Sequence, residues 1–173
     1  MKAVIIKEYG RPAVLQWQDA ADPVVHDGAV LIRVAASSVN PFDVKQRSGQ
    51  YKDFAPVTFP AVLGLDVAGT VAQVGKAVSG FSPGDRVFAH ARAAYAELCA
   101  VAAQDLAKLP QGLDLVESAA LPTVGLTGYQ LVERDAMVKR GETILVTGAL
   151  GSVGRGRRCL CPCQGCVGDR GCP

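Results

Sequence analysis

Residues Thr143-Ile144-Leu145-Val146-Thr147 run directly into Gly148-Ala149-Leu150-Gly151-Ser152-Val153-Gly154. An apolar, β-branched run opening into G-x-x-G-x-x-G is how a dinucleotide-binding βαβ unit begins. The glycines permit a tight turn, close approach of backbone to a pyrophosphate, and close packing of helix on strand. Amides at the helix N-terminus then hold the phosphate. The candidate cofactor-binding residues are Gly148, Ala149, Gly151, Ser152, Val153 and Gly154. A purely structural strand-to-helix turn would show the same pattern. A complete unit also needs a helix, a second strand and a ribose contact, and only 19 residues follow.

Those 19 residues contain four Arg, five Cys, four Gly and two Pro, a poor helix. Cys159-x-Cys161-x-Cys163-x-x-Cys166 could hold a soft metal such as zinc or copper(I). The spacing is irregular, however, and no second Cys or His pair follows at a zinc-finger distance. The composition switches within a residue or two of Gly154. Arg, Gly and Pro codons are GC-rich, so an out-of-frame reading of a GC-rich gene explains the abruptness. Residues 155–173 are therefore expected to be an aberrant, disordered tail.

The chain of 173 residues is 49% hydrophobic and 20% charged, which suits a globular protein of one domain and a fraction. Its net charge of +2 divides into +3 in the last 19 residues and −1 in the other 154. The body lacks the clustered Lys and Arg of a nucleic-acid footprint, so no nucleic-acid partner is expected. No apolar run reaches about 18 residues, and the run at 3–6 is too short for a signal sequence. No membrane partner is expected, and the default location is cytoplasmic. Cys99 is the one body cysteine, so the body needs no disulfide framework.

The elements that must position any site read as follows. Strands are expected at 1–7, 29–37, 67–74 with an interruption at Gly69, 86–89, 95–101 and 143–147. A helix of one or two turns is expected at 41–47, with Asn40 as N-cap and Pro41 at the first helical position. Residues 49–60 read as loop. Beyond Pro110 the spacing of Leu115, Ala119 and Ala120 turns helical, with Asp114 able to cap. A second helical pattern covers 123–133. A β-rich segment of roughly 110 residues thus precedes an α/β segment.

The motifs Ser38-Val39-Asn40-Pro41-Phe42-Asp43, Arg47-Ser48-Gly49, Gly64-Leu65-Asp66-Val67-Ala68-Gly69, Val74-Gly75, Phe81-x-x-Gly84-Asp85-Arg86-Val87, Ala94-Tyr95-Ala96-Glu97, Ala119-Ala120-Leu121-Pro122, Leu126-Thr127 and the 148–154 loop carry a resemblance. In order and spacing, residues 1–154 resemble the medium-chain dehydrogenase/reductase superfamily, close to its zinc-independent quinone oxidoreductase branch. The resemblance implies a β-rich α+β fold: a GroES-like catalytic domain at 1–122, then the truncated start of a Rossmann α/β NADP-binding domain at 123–154. Where zinc-dependent relatives carry their catalytic ligands, this chain has Asn40, Leu65 and Thr123. None offers thiolate, imidazole or carboxylate, so no metal is expected in the body. His26 and His90 read as solvated or hydrogen-bonded histidines.

The resemblance also implies hydride transfer from NADPH to an electron-poor acceptor, a quinone or an enone. Asn40 stands where the family places an amide near the nicotinamide ribose. Thr127 stands where it places a hydroxyl near the nicotinamide. Tyr51 matches a tyrosine that can donate to the substrate carbonyl, so Tyr51 and Asn40 are the candidate catalytic residues. The competing roles are a helix cap for Asn40, a helix-interior threonine for Thr127 and an aromatic lid for Tyr51. Asp43 and Asp66 read as structural polar contacts, and Lys45 stands where relatives often carry tyrosine. The family pattern allows a homodimer in a full-length parent. In the family the chain returns to complete the catalytic domain, so exposed apolar surface and unpaired edges are expected here. For this chain itself the expectation is weak or absent NADPH binding and no catalysis.

Overall fold

The computed structural model describes residues 1–139 and 141–154. The chain divides into two compact units between Pro122 and Thr123.

The first unit is built on antiparallel strands. β1 (Lys2–Ile6) is the centre of a three-stranded sheet, between β2 (Gln16–Asp19) and β4 (Ala61–Val62). A five-stranded sheet runs in the order β7 (Leu98–Ala102), β3 (Ala29–Ala36), β5 (Asp66–Val74), β6 (Arg86–His90), β8 (Leu106–Lys108). Period-two alternation drives its core. Val30 and Ile32 of β3, Val87 and Ala89 of β6, and Cys99 and Val101 of β7 point one way into a shared apolar cluster. Central β5 is buried at Asp66, Val67, Ala68 and Gly69 in succession. A 3-10 turn at Glu117–Ala120 packs against β5 and β6. Asp114 Oδ1 accepts the Val116 and Glu117 N–H groups ahead of that turn, so the expected cap forms on a tighter helix.

β5 is not interrupted at Gly69, contrary to the sequence reading. It runs through that glycine, which lies opposite Val34 in a register that shifts between Val34 and Ala36. The bulge brings the strands so close that a Cβ at Gly69 would fall on the Arg33 carbonyl oxygen and stand 2.7 Å from Ile32 Cγ2. The expected strand at 95–101 also shifts. Only Leu98–Ala102 pairs with β3, while Ala96 bridges to Ala3 of β1. Val4 N–H donates to the Tyr95 carbonyl at 2.8 Å, and Val34 N–H to the Glu97 carbonyl at 3.0 Å, so this short segment ties the two sheets together. The sequence reading missed β2, β4 and β8, which are two to four residues long and too short to show a period.

α1 (Pro41–Ser48) begins at Asn40 and ends on Gly49, whose φ of 81° is left-handed. α2 (Pro122–Gln130) starts at the last residue of the first unit and runs into the second, where it widens into a π-turn at Leu131–Asp135. Val132, Val138 and Ile144 form a small apolar cluster. The expected strand at 143–147 is absent, because no neighbouring strand in the described residues supplies ladder bonds. Leu145 is 91% exposed.

Gly69→Ala should lower stability by about 1–3 kcal/mol through overpacking. Gly28→Ala has open space around its added methyl and should change stability by less than about 0.5 kcal/mol. Urea unfolding of both variants checks this, and equal effects would refute the assigned close approach.

Candidate functional site

Asp66 opens β5 and is fully buried. A carboxylate removed from water needs donors, and the segment entering α1 supplies them. Asn40 Nδ2 donates to Asp66 Oδ2 at 2.8 Å, and the Ser38 hydroxyl donates to the same oxygen. Ser37 Oγ donates to the Asp66 main-chain carbonyl at 2.6 Å. Asn40 Nδ2 also lies 3.2 Å from Ser38 Oγ. The Asn40 N–H donates to Asp43 Oδ2 at 2.8 Å, closing the first turn of α1. Tyr95 OH donates to the Ser38 carbonyl at 3.2 Å and interacts with the Asp43 carboxylate. The other Asp43 oxygen, Oδ1, is buried without a hydrogen bond.

Burial raises the Asp43 carboxyl above its ordinary value of 3.8, opposed by hydrogen bonds from Asn40 and Tyr95, and the charge of Asp66 adds to the rise. Burial, then the charge of Asp43, push the Tyr95 phenol well up. Burial alone pushes the Cys99 thiol up to about 11, which keeps it protonated and inert at neutral pH. Asp43 and Asp66 are thus both engaged in polar contacts at the entry to α1.

Tyr51 follows α1 at its other end. Its ring meets Phe42 at 5.5 Å and 62°, and Phe54 at 5.8 Å and 71°. Its hydroxyl accepts from Lys45 Nζ at 3.2 Å. Asn40 and Tyr51 flank α1 and belong to separate side-chain clusters. Beside the first cluster, an open groove of about 490 Å³ is lined by Val4, Leu15, Trp17, Val34, Val39 and Tyr95 among others. Ser38 and Tyr95 were not singled out from the sequence. Both lie inside the quoted motifs, but a motif does not say which oxygen a hydroxyl meets.

In the second unit, Thr127 Oγ1 donates to the Thr123 carbonyl at 2.6 Å, the back-bond of a helix-interior threonine. The glycine loop is tightly folded. Gly148 has a left-handed φ of 66°, and Gly151 N–H donates to its carbonyl at 2.9 Å. Residues 152–154 then take helical geometry. A Cβ at Gly154 would fall on the Gly148 carbonyl oxygen and stand 2.8 Å from Ala149 Cα. Among the described residues no group of three or more His, Cys, Asp or Glu could hold a metal ion, and no helix is long and apolar enough to cross a membrane. The cysteine-rich stretch at 155–173 lies outside the described residues.

The raised Asp43 carboxyl fixes a sign. The folded chain holds this proton more tightly than the unfolded chain, so the resulting stability is present below pH 3.8 and fades as pH rises through the folded value. Asp43→Asn keeps an acceptor for the Asn40 N–H and removes the buried charge. Its melting temperature relative to wild type should therefore rise between pH 4 and pH 7. Asp43→Ala loses the cap and should cost about 1–2 kcal/mol. A pH-independent difference for Asp43→Asn in thermal melts would contradict the assigned burial cost.

Residues 26–140 match the alcohol dehydrogenase GroES-like domain family. Quinone oxidoreductase of Lama guanicoe is 41% identical over 167 residues, covering 95% of this chain and 48% of the relative. A mycobacterial protein solved with NADPH is 37% identical with a TM-score of 0.84, over 96% of this chain and 51% of that one. Escherichia coli quinone oxidoreductase solved with NADPH is 28% identical with a TM-score of 0.82, over 96% and 51%. The chain spans about half the length of the curated relatives it matches. It belongs to the alcohol dehydrogenase GroES-like domain family.

Proposed function

We propose that this chain contributes the acceptor-binding half of an NADPH-dependent reductase of quinones or enones. In this reading residues 1–122 are the catalytic domain and 123–154 begin the nucleotide domain. The observation that carries it is the shape of the glycine loop. A left-handed Gly148 and a Gly154 with no room for a Cβ bring the backbone of the loop close together at the start of a helical turn. That is a cradle for a pyrophosphate, with Gly148, Ala149, Gly151, Ser152, Val153 and Gly154 as its residues. NADPH bound there would supply a hydride.

The roles of the other residues follow from the valences they have left. Asn40 uses its amide hydrogens on Asp66 and Ser38, so its carbonyl oxygen is the atom that meets a ribose hydroxyl. Thr127 gives its hydrogen to Thr123, so its oxygen accepts from the nicotinamide side. The Tyr51 phenol donates to the acceptor carbonyl, where negative charge develops. Asn40, Leu65 and Thr123 are not zinc-ligand types, so activation comes from conjugation within the acceptor, which favours quinones and enones over simple ketones.

Fusing residues 1–154 to the complementary C-terminal half of a quinone oxidoreductase relative should yield NADPH-dependent reduction of quinones or enones. Asn40→Ala and Thr127→Ala should each raise the KM for NADPH several-fold. Equal turnover of unactivated ketones, or unchanged kinetics in both variants, would sink the reading. The chain by itself should bind NADPH only weakly, because 143–147 has no ladder partner among the described residues and the loop beside it is largely exposed. Calorimetric titration at physiological salt checks this, and a micromolar dissociation constant would contradict it.

A further inference from the structure

We propose that Lys45 is the specificity-determining residue of the acceptor site, and that it selects quinoid rings carrying an ionised oxygen, the hydroxyquinone anions. This rests on the reading of Tyr51 as the contact to the acceptor.

The backbone folds the two residues together. Lys45 sits in the last turn of α1, and the chain reverses at the left-handed Gly49. Tyr51 N–H donates to the Lys45 carbonyl at 3.3 Å, while Phe54 and Ala55 N–H donate to the Tyr51 carbonyl at 3.1 and 2.6 Å. The turn is thereby pinned to the helix end. Lys45 Nζ stands 5.1 Å from the centroid of the Tyr51 ring and 3.2 Å from its hydroxyl. The rings of Phe42 and Phe54 flank Tyr51, and Phe54 is 79% exposed, so the aromatic surface is open to a planar ligand.

The charge at this surface is one-sided. Lys45 is half-buried, and no ion pair among the described residues includes it. Its ammonium has three hydrogens and gives one to Tyr51. The lysine's ammonium is held by the Tyr51 phenol. Lys52 and Asp53, next along the turn, are both exposed and of opposite sign. By accepting from Lys45, the Tyr51 oxygen leaves its own O–H directed at a ligand. The site therefore presents a phenol donor, a cation with unused donors, and aromatic faces. A neutral carbonyl uses only the first and the last. A planar anion with two oxygens uses all three, through a charge-assisted hydrogen bond.

The test is equilibrium dialysis of the full chain against two probes. One is 2-hydroxy-3-methyl-1,4-naphthoquinone, ionised at neutral pH, and the other is neutral 2,3-dimethyl-1,4-naphthoquinone. Both are substituted where a thiol would otherwise add. The wild type should bind the anion about tenfold more tightly, a margin that shrinks as salt screens it. Lys45→Gln should bring the two affinities within about twofold, Lys45→Arg and Lys52→Gln should keep the preference, and Tyr51→Phe should weaken both probes. Equal affinities in wild type, or a preference that survives Lys45→Gln, would overturn the assignment to Lys45 and leave the acceptor reading standing. Failure of both probes to bind at millimolar concentration would overturn both.

Discussion

The first unit is organised around the buried carboxylate of Asp66. This group has no contact with water, so its oxygens must be met from within the protein, and the donors come from Ser38 and Asn40. Meeting them fixes the chain between β3 and α1. Asn40 is then placed as the cap, α1 starts at Pro41, and the helix projects Phe42 and Lys45 toward the turn that carries Tyr51. The link from the central strand to the aromatic cluster therefore runs through the hydrogen bonds of Ser38 and Asn40 to Asp66 and then along the chain through α1. Replacing Asp66 with an apolar residue would strand the Asn40 amide and the Ser38 hydroxyl, which is why the loss would exceed that of a surface hydrogen bond.

A second carboxylate beside the first adds a cost. Asp43 is needed to hold the Asn40 N–H, yet it is 3% exposed and feels the charge of Asp66. Its Oδ1 has no hydrogen bond at all. The fold tolerates this because the same residue terminates an otherwise open helix end. That helix carries Lys45, and the turn after it carries Tyr51.

The sequence made α1 and its cap legible, because Asn40, Pro41 and Asp43 are local signals that act within one turn. The strands of the five-stranded sheet that exceed four residues were legible as apolar, β-branched runs between turn signals. The details set by tertiary contact were not. Gly69 reads as a strand breaker and proves to be the residue that lets β5 pass the Arg33 carbonyl. The segment beginning at Tyr95 reads as one strand and instead serves two sheets. The run at 143–147 has strong β propensity but no ladder among the described residues, since propensity supplies no partner. Of the site residues, Asn40 was readable as a cap, while its bonds to Ser38 and Asp66 span up to 26 residues and had no local signature. The pairing of Lys45 with Tyr51 was equally hidden, because it depends on a left-handed glycine reversing the chain between them.

The central proposal is that α1 and the turn behind it form the acceptor surface. Mapping amide chemical shifts of the isotope-labelled chain while adding a neutral, fully substituted naphthoquinone tests this most directly. The account predicts that the largest shifts cluster at residues 42–55, with little change at Val4, Leu15 and Trp17. Shifts centred on Val4, Leu15 and Trp17, with residues 42–55 unmoved, would contradict it.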